Sequence, residues 1–393
     1  MLWKLAKEVE EGIAVAVGEI EREIIRKMEP LKIVEAQSFL LRVPVQALRV
    51  DSQSTLRAWD VLAVKLTTDS GLEGWGYQCG FGPVMAALRL FIDEALLPEI
   101  AGLDARKHEQ WWRDIYLARH HLGLNGPAVQ GVSAPEVAVW DLLARAVEQP
   151  LWELLGEGCR RRVLCYDTNC GWLGYSKGEL IDRVKRSVGE GFRGIKIKIG
   201  SEDFGDDLRR LEAVREAVGG EVLVAVDVNS RWDLPIALAR APALADFDVA
   251  WLEEPLHPFD VRGHAELAEA IDTPLLHGES ICEPLMFRDM LDAGGMEIAQ
   301  PSDMKLGGVS RWREVAELAG KAGKRVVPAG WTMMQVDQHL AAATPHCWMV
   351  EWIPWIREIF QEPVCFEDGE ILVSDTPGAG TAITSEALER YRL

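Results

Sequence analysis

At 393 residues the chain exceeds one ordinary core, so two domains are expected, although a β/α barrel alone uses about 250. Hydrophobic residues make up 48% and charged residues 26%, a globular balance that excludes disorder as the main state. Asp and Glu total 62 against 42 Lys and Arg, a formal net charge of -20; this repels a phosphate backbone and excludes nucleic acid as a partner, and an anionic substrate would need locally placed positive charge.

Residues 1–30 read as a helical extension, with Leu2, Leu5, Val9, Ile13 and Val17 on one side. Lys and Glu interrupt it, which sets it apart from a signal peptide. Two origins stay open: a genuine extension, or sequence upstream of a start at Met28. Residues 31–158 are predicted to form a compact α+β domain. LKIVEAQSFLL and WDVLAVKLTT alternate as strands do, DSGLEGWGY follows with turn glycines, and 82–155 read as helices, including PEVAVWDLLARAVEQPLWELLG. No apolar run is long enough to span a membrane, so no membrane partner is expected.

From 159 to 360 short apolar strands alternate with amphipathic helices. The strands are VLCYDTN, GIKIKIG, VLVAVDVN, VAWLEEP, PLLHGES, EIAQPSD, RVVPAGW and WMVEW. Their ends recur at roughly the length of one βα unit, and about eight in series argue for a closed parallel barrel in the α/β class. The turn-rich segment 361–393 is predicted to return to the first domain. The seven cysteines are scattered, and the cluster Cys159, Cys165 and Cys170 lacks zinc-ligand spacing; reduced thiols of a cytoplasmic protein are expected.

In such a barrel, chemistry sits at the carboxyl ends of the strands. Gly194 to Ile199 alternates strictly, with three isoleucines on one face and Lys196 and Lys198 on the other, directed inward. Two lysines inside a barrel are costly unless they have partners. The next three strands end in carboxylates: Asp227, then Glu253 and Glu254, then Glu279. Adjacent strands lie about 4.8 Å apart, so these acids converge and repel. A hard cation relieves that repulsion; oxygen ligands without sulfur favour Mg²⁺, with Mn²⁺ as the alternative. A divalent cation on a substrate carboxylate, with a lysine beside it, is a device for removing the α-proton and stabilising the enediolate that results. Lys196 and the cation are both expected to lower the pKa of Lys198.

At these residues the chain resembles the enolase superfamily, in particular its mandelate racemase-like branch, over about residues 31–393. The motifs are the Lys-x-Lys strand, the Asp-x-Asn, Glu-Glu-Pro and Gly-Glu-Ser strand ends, and Met-Lys-Leu-Gly-Gly at 304–308. A Lys or His base acting with Mg²⁺ on an enediolate is the general description of such sites. The resemblance implies a modified TIM barrel, (β/α)7β, with an α+β capping domain. It implies Asp227, Glu253 and Glu279 as metal ligands, Lys198 as base and Lys196 as its aid at the substrate carboxylate. Glu351 matches an acid that hydrogen-bonds that carboxylate, and Asn229 a polar group near metal and substrate hydroxyl. Homo-oligomers are implied as well.

The departures bear on the reaction. The racemase-like His at the end of the seventh strand and the Asp that orients it correspond to Trp331 and Ser302, and Asp303 lies one residue late, on the other strand face. The second Lys of muconate-lactonizing and dipeptide-epimerase relatives is also absent from position 302. One-base chemistry from Lys198 is therefore expected: dehydration of a sugar acid to a 2-keto-3-deoxy acid, with a racemase, epimerase or cycloisomerase as the alternative. Tyr166 and His277 are candidates for a separate acid, His277 competing with a role as a core histidine, and His257 carries a faint signal. Arg42, Arg49 and Arg57, with Gln53 and Ser54, mark a loop expected to close over the site. Trp331, Trp352 and Trp355 are candidates for the pocket wall.

Overall fold

The computed structural model describes residues 21–119, 121, 125–156 and 160–393. Most of the expected N-terminal helix and Cys159 lie outside them. Residues 21–27 are helical; Ile25 is buried and Glu21 is ion-paired with Arg313.

The first domain is an antiparallel meander of β1 (Ile33–Val50), β2 (Thr55–Thr68) and β3 (Glu73–Gly80). The register of β1 on β2 slips between Pro44 and Arg49, because proline has no N–H for the ladder. The helix Pro127–Ala146 lies across β2 and β3, nearly all of it buried. It approaches so closely because β3 offers only hydrogen at two contact positions: a Cβ at Gly76 would stand 2.1 Å from the Ala134 carbonyl oxygen, and one at Gly74 2.5 Å from that of Ala138.

The second domain is the barrel. Among the described residues its parallel strands are β4 (Arg162–Gly171), β5 (Gly194–Lys198), β6 (Leu223–Asp227), β7 (Val249–Glu253), β8 (Leu275–His277), β9 (Ile298–Ala299), β10 (Arg325–Val326) and β11 (Val350–Trp352). A helix follows each of the first seven, giving (β/α)7β. Closure comes from β11 pairing with β4, Glu351 opposite Tyr166, and from a bridge between Val326 and Cys347. Tyr166, Ala225, Trp251, Leu276, Ile298, Val327 and Met349 form an apolar plug inside. Two residues further along β6 and β7, on the same face, stand Asp227 and Glu253.

The C-terminal segment divides. Residues Cys365–Glu367 and Glu370–Leu372 form a hairpin (β12, β13) paired antiparallel to the start of β4, on the barrel. The residues after it reach the cap: Ala379 N–H donates to Asp141 at 2.6 Å and Leu393 N–H to the Leu40 carbonyl at 2.8 Å. Their hydrogen bonds tie cap to barrel at a third point in sequence.

The glycine contact makes a prediction. Gly76→Ala drives a methyl into helix backbone that cannot yield, and should cost about 3 kcal/mol or more. Gly178→Ala, where a Cβ meets nothing within 4 Å, should be neutral or slightly stabilising. Urea midpoints of the two variants check this; equal midpoints would refute the close-approach argument.

Candidate active site

Four strand ends bring charge together above the apolar plug. Lys196 is fully buried on β5, and its Nζ lies 2.6 Å from Glu253 Oε1, 2.9 Å from Glu351 Oε1 and 3.3 Å from Asp227 Oδ2. Lys198, one strand repeat further out, donates to Asp227 Oδ2 at 2.5 Å. Asp227 also accepts the Asn229 N–H at 2.8 Å, in a turn where Asn229 adopts φ 50°. Glu253 is steadied by the Trp251 indole N–H at 3.1 Å and the Gln300 amide at 3.2 Å. Glu279 enters from the turn after β8. Gly278, at φ 136°, is what lets it do so: a Cβ there would meet the Phe287 ring at 2.4 Å.

The electrostatics are those of crowded acids. Burial, Asp227 and Glu351 outweigh Lys196 and push Glu253 up to about 8. Burial with Asp227 and Glu253 pushes Glu254 up to about 7. Burial and repulsion from Glu254 and Asp227 hold Glu279 well above the usual carboxylate range. Asp227 alone goes down, to about 2: burial opposes its charge, but two ammonium groups override that. Burial and Lys196 work to lower Lys198, as expected; Asp227, Glu253 and Glu279 outweigh them and hold it above the usual lysine range.

This bears on a cation. Among the described residues no three acidic, histidine or cysteine side chains are already drawn about one point; the lysines hold Asp227 and Glu253 instead. The donor set nevertheless fits a hard divalent ion. Five buried carboxylates (Asp227, Glu253, Glu254, Glu279, Glu351) face two ammonium groups, and Glu254 Oε1 is buried without a hydrogen-bond partner. All the donors are oxygen.

The other predicted residues scatter. Tyr166 belongs to the plug, its ring edge-on to Trp251 and under Lys196 at 5.6 Å; its hydroxyl is buried and unpartnered. His277 faces outward, because alternation along β8 sends Leu276 inside; it stacks on His264 at 4.3 Å, its Nε2 lies 3.1 Å from the Pro258 carbonyl, and burial holds it down at about 3. It is a core histidine, removed from the site. The Ser302 hydroxyl accepts from Lys305 N–H as cap of the short helix Asp303–Leu306. His257 is exposed and caps its own turn. Trp352 packs outward on Phe192 and Phe366.

Of the cap loop, Ser52 Oγ donates to the Val228 carbonyl at 2.7 Å and Gln53 to that of Asn229, so the loop sits on the turn after β6. Ser54 hydrogen-bonds Asp51 within the loop. Arg49 lies over the Trp355 ring, whereas Arg42 pairs with Asp60 within the cap and Arg57 is exposed. Gln300, Trp59, Phe81 and Trp172 were not singled out in the sequence, and Glu254 was named only as a strand-end acid. Gln300 carried a signal, two residues beyond the inward Ile298. At β10, Val327 and Ala329 both donate to the chain of β9 (Ala299, Pro301), so their side chains share the inward face. On that face Ala329 has no acid or base to offer; a Cβ at Gly330 would stand 3.0 Å from Glu351 Oε2, and Trp331 follows after the backbone has turned to φ 31°.

Residues 33–156 match the mandelate racemase / muconate lactonizing enzyme N-terminal domain family, and residues 179–387 the enolase C-terminal domain-like family. The chain belongs to the enolase superfamily. Within that superfamily it is 31% identical over 353 residues to the L-talarate/galactarate dehydratase of Salmonella typhimurium, covering 88% of this chain and 87% of the relative. It is 29% identical to the 3,6-anhydro-α-L-galactonate cycloisomerase of Streptomyces coelicolor, covering 89% and 97%. A crystal structure of the Salmonella dehydratase, liganded with Mg and L-lyxarohydroxamate, aligns with a TM-score of 0.87 at 29% identity, covering 93% of each chain. Among the described residues no helix is long and apolar enough to cross a membrane.

A pH dependence follows from the raised acids. Glu253 and Glu254 keep protons in the folded state that the unfolded chain releases above about pH 4.3. Their stability contribution is thus intact at low pH and lost as pH rises toward 8; that of Asp227 is lost only on acidification toward 2. Without divalent cations the thermal midpoint should fall between pH 5 and 8. Added Mg²⁺, binding deprotonated acids, should raise it more at pH 8 than at pH 6. A Mg²⁺ effect of equal size at both, measured by scanning calorimetry, contradicts the assignment.

Proposed function

We propose that this enolase-superfamily protein is a Mg²⁺-dependent lyase that removes the α-proton of a sugar acid and expels its β-hydroxyl, giving a 2-keto-3-deoxy acid. The observation that carries the reading is the burial of Lys198, Lys196 and Glu351 together with three acidic strand ends at one end of the barrel. Asp227, Glu253 and Glu279 are the residues that would hold the ion. Bound there, Mg²⁺ supplies positive charge to the substrate carboxylate and to the charge that develops on it as the α-proton leaves.

Against Asp227, Lys198 is a cation and no base. Once Asp227, Glu253 and Glu279 are all committed to a cation, burial and Lys196 remain, and both favour the neutral amine. Neutral Lys198 takes the α-proton, and the C–H electrons pass into the enediolate. Lys196, paired with Glu351, donates to the carboxylate. As the enediolate collapses, the Lys198 ammonium returns its proton to the departing β-hydroxyl, and the enol becomes the ketone. Asn229 holds a hydroxyl nearby. A racemase needs a second acid or base across the substrate, where β9 and β10 offer Gln300 and Ala329; this favours the lyase over that alternative. The similarity to a 3,6-anhydro-α-L-galactonate cycloisomerase supports cycloisomerisation of an anhydro sugar acid as the second reading. Buried free thiols at Cys79, Cys165, Cys170, Cys282 and Cys347 support a reducing, cytoplasmic setting, and a homo-oligomer is our expectation for the working form.

The test is a panel of sugar acids with the Mg²⁺-loaded protein, scored for 2-keto-3-deoxy products and for α-proton exchange with deuterium oxide. Lys198→Ala should lower both by about 10²–10⁴-fold, the range for a general base, while calorimetry shows Mg²⁺ still bound. Exchange without loss of water would favour the isomerase reading. Full activity in Lys198→Ala would end the mechanism.

A further inference from the structure

A continuous arc of aromatic rings runs beside the cluster of lysines and acids. It starts at Lys198, whose ammonium lies 5.3 Å from the centre of Trp172. Trp172 meets Trp355 at 5.6 Å, Trp355 meets Trp59 of the cap at 5.6 Å, and Trp59 meets Trp331 at 5.9 Å. Phe81, also from the cap, stacks along Trp331 at 6.5 Å. The arc ends beside Glu351, which accepts the N–H of Gly330 next to Trp331. Both ends are therefore tied to groups that face the reacting carboxylate.

Unpartnered polar atoms mark this arc and the acid cluster beside it. The indole N–H groups of Trp59, Trp172 and Trp331 are buried with no hydrogen-bond partner among the described residues; Trp59 and Trp172 are 2% and 5% exposed. Beside Asp227 and Glu253, to which their amide N–H groups donate, the Asn229 and Gln300 side-chain oxygens are likewise buried and unpartnered. The arc thus offers only donors, the two amides only acceptors. Leaving such groups unpaired in a bound complex is costly. A hydroxyl answers both, since it donates and accepts; a carboxylate only accepts. The cations nearest the arc are turned to ring faces: Lys305 over Trp331 at 4.9 Å and Arg49 over Trp355 at 5.1 Å. Indole faces suit the C–H faces of a carbon chain and do nothing to neutralise a second anion.

We infer that the part of the substrate beyond the reacting carbons is an uncharged polyhydroxyl chain, so that the site selects aldonic over aldaric acids. This rests on the sugar-acid reading above. The experiment uses the full chain with Mg²⁺ and pairs of aldonic and aldaric acids matched in configuration from C2 to C4. Turnover and α-proton exchange are followed together, and quenching of tryptophan fluorescence reports binding. The aldonic member of a reactive pair should have the higher kcat/KM by roughly tenfold or more, the discrimination expected when buried polar groups lose their partners. Trp331→Phe and Trp59→Phe keep a ring but remove the N–H; each should raise KM for the aldonic acid several-fold, with a smaller effect on the aldaric one. Turnover that prefers the aldaric members overturns this inference and leaves the lyase intact. If no acid of either class exchanges its α-proton, both fall.

Discussion

The site depends on Lys196. Its ammonium touches carboxylates from three different strands, β6, β7 and β11, at 2.6 to 3.3 Å. Each of those acids is buried, and in their electrostatic reach lie Glu254 and Glu279. Removing the ammonium would leave like charges facing one another in a low dielectric, the arrangement that proteins avoid by protonation or by binding a cation. Lys196 holds the acids close enough to be useful and leaves a deficit of positive charge. That deficit is the chemical basis for expecting a divalent ion.

What allows a lysine to sit there is the geometry below it. Parallel strands buried on both faces force a period of two, and β5 obeys it, so Lys196 and Lys198 share the inward face with Asp227 and Glu253 of neighbouring strands. The apolar plug fills the barrel beneath and gives the charges a dry floor. The roof is the cap, held down by its own helix against two side-chain-free positions of β3 and by the C-terminal residues that hydrogen-bond to it. Desolvation from both sides is the largest influence raising Glu253, Glu254 and Glu279.

How much of this could be read in advance follows from the range of the interactions. The Lys-x-Lys alternation and the acid at each strand end are local patterns, so barrel, cap and central constellation were legible, with the resemblance naming the roles. His277 and Glu279 look equivalent on paper, two residues apart on one strand. Gly278 at φ 136° breaks the alternation between them, turning the acid to the cavity and leaving the histidine among helices. Trp331 was aligned with a catalytic position at the end of β10, where the chain puts Ala329 inward and then bends. The aromatic arc joins residues 59, 81, 172, 331 and 355, and no local pattern reports contacts between segments so far apart. The hairpin of the tail pairs with β4 through similarly distant residues, which is why all of 361–393 was expected at the cap although residues 365–372 lie on the barrel.

The same separation explains how one scaffold changes its chemistry. The charges that activate the α-proton come from β5 to β8, with Glu351 on β11. The groups that decide what happens next come from β9, β10 and the cap. In this chain the second set lacks any side chain at Ala329 that could carry a proton, while the first set is complete. On the mechanism proposed above, an enediolate has Lys198 as its nearby proton source, on the face from which the proton was taken. Return to the α-carbon from that face regenerates the substrate; delivery to the β-hydroxyl moves the reaction forward. On the mechanism proposed above, Ala329 and Gln300 offer inversion no donor, and elimination is the productive outcome.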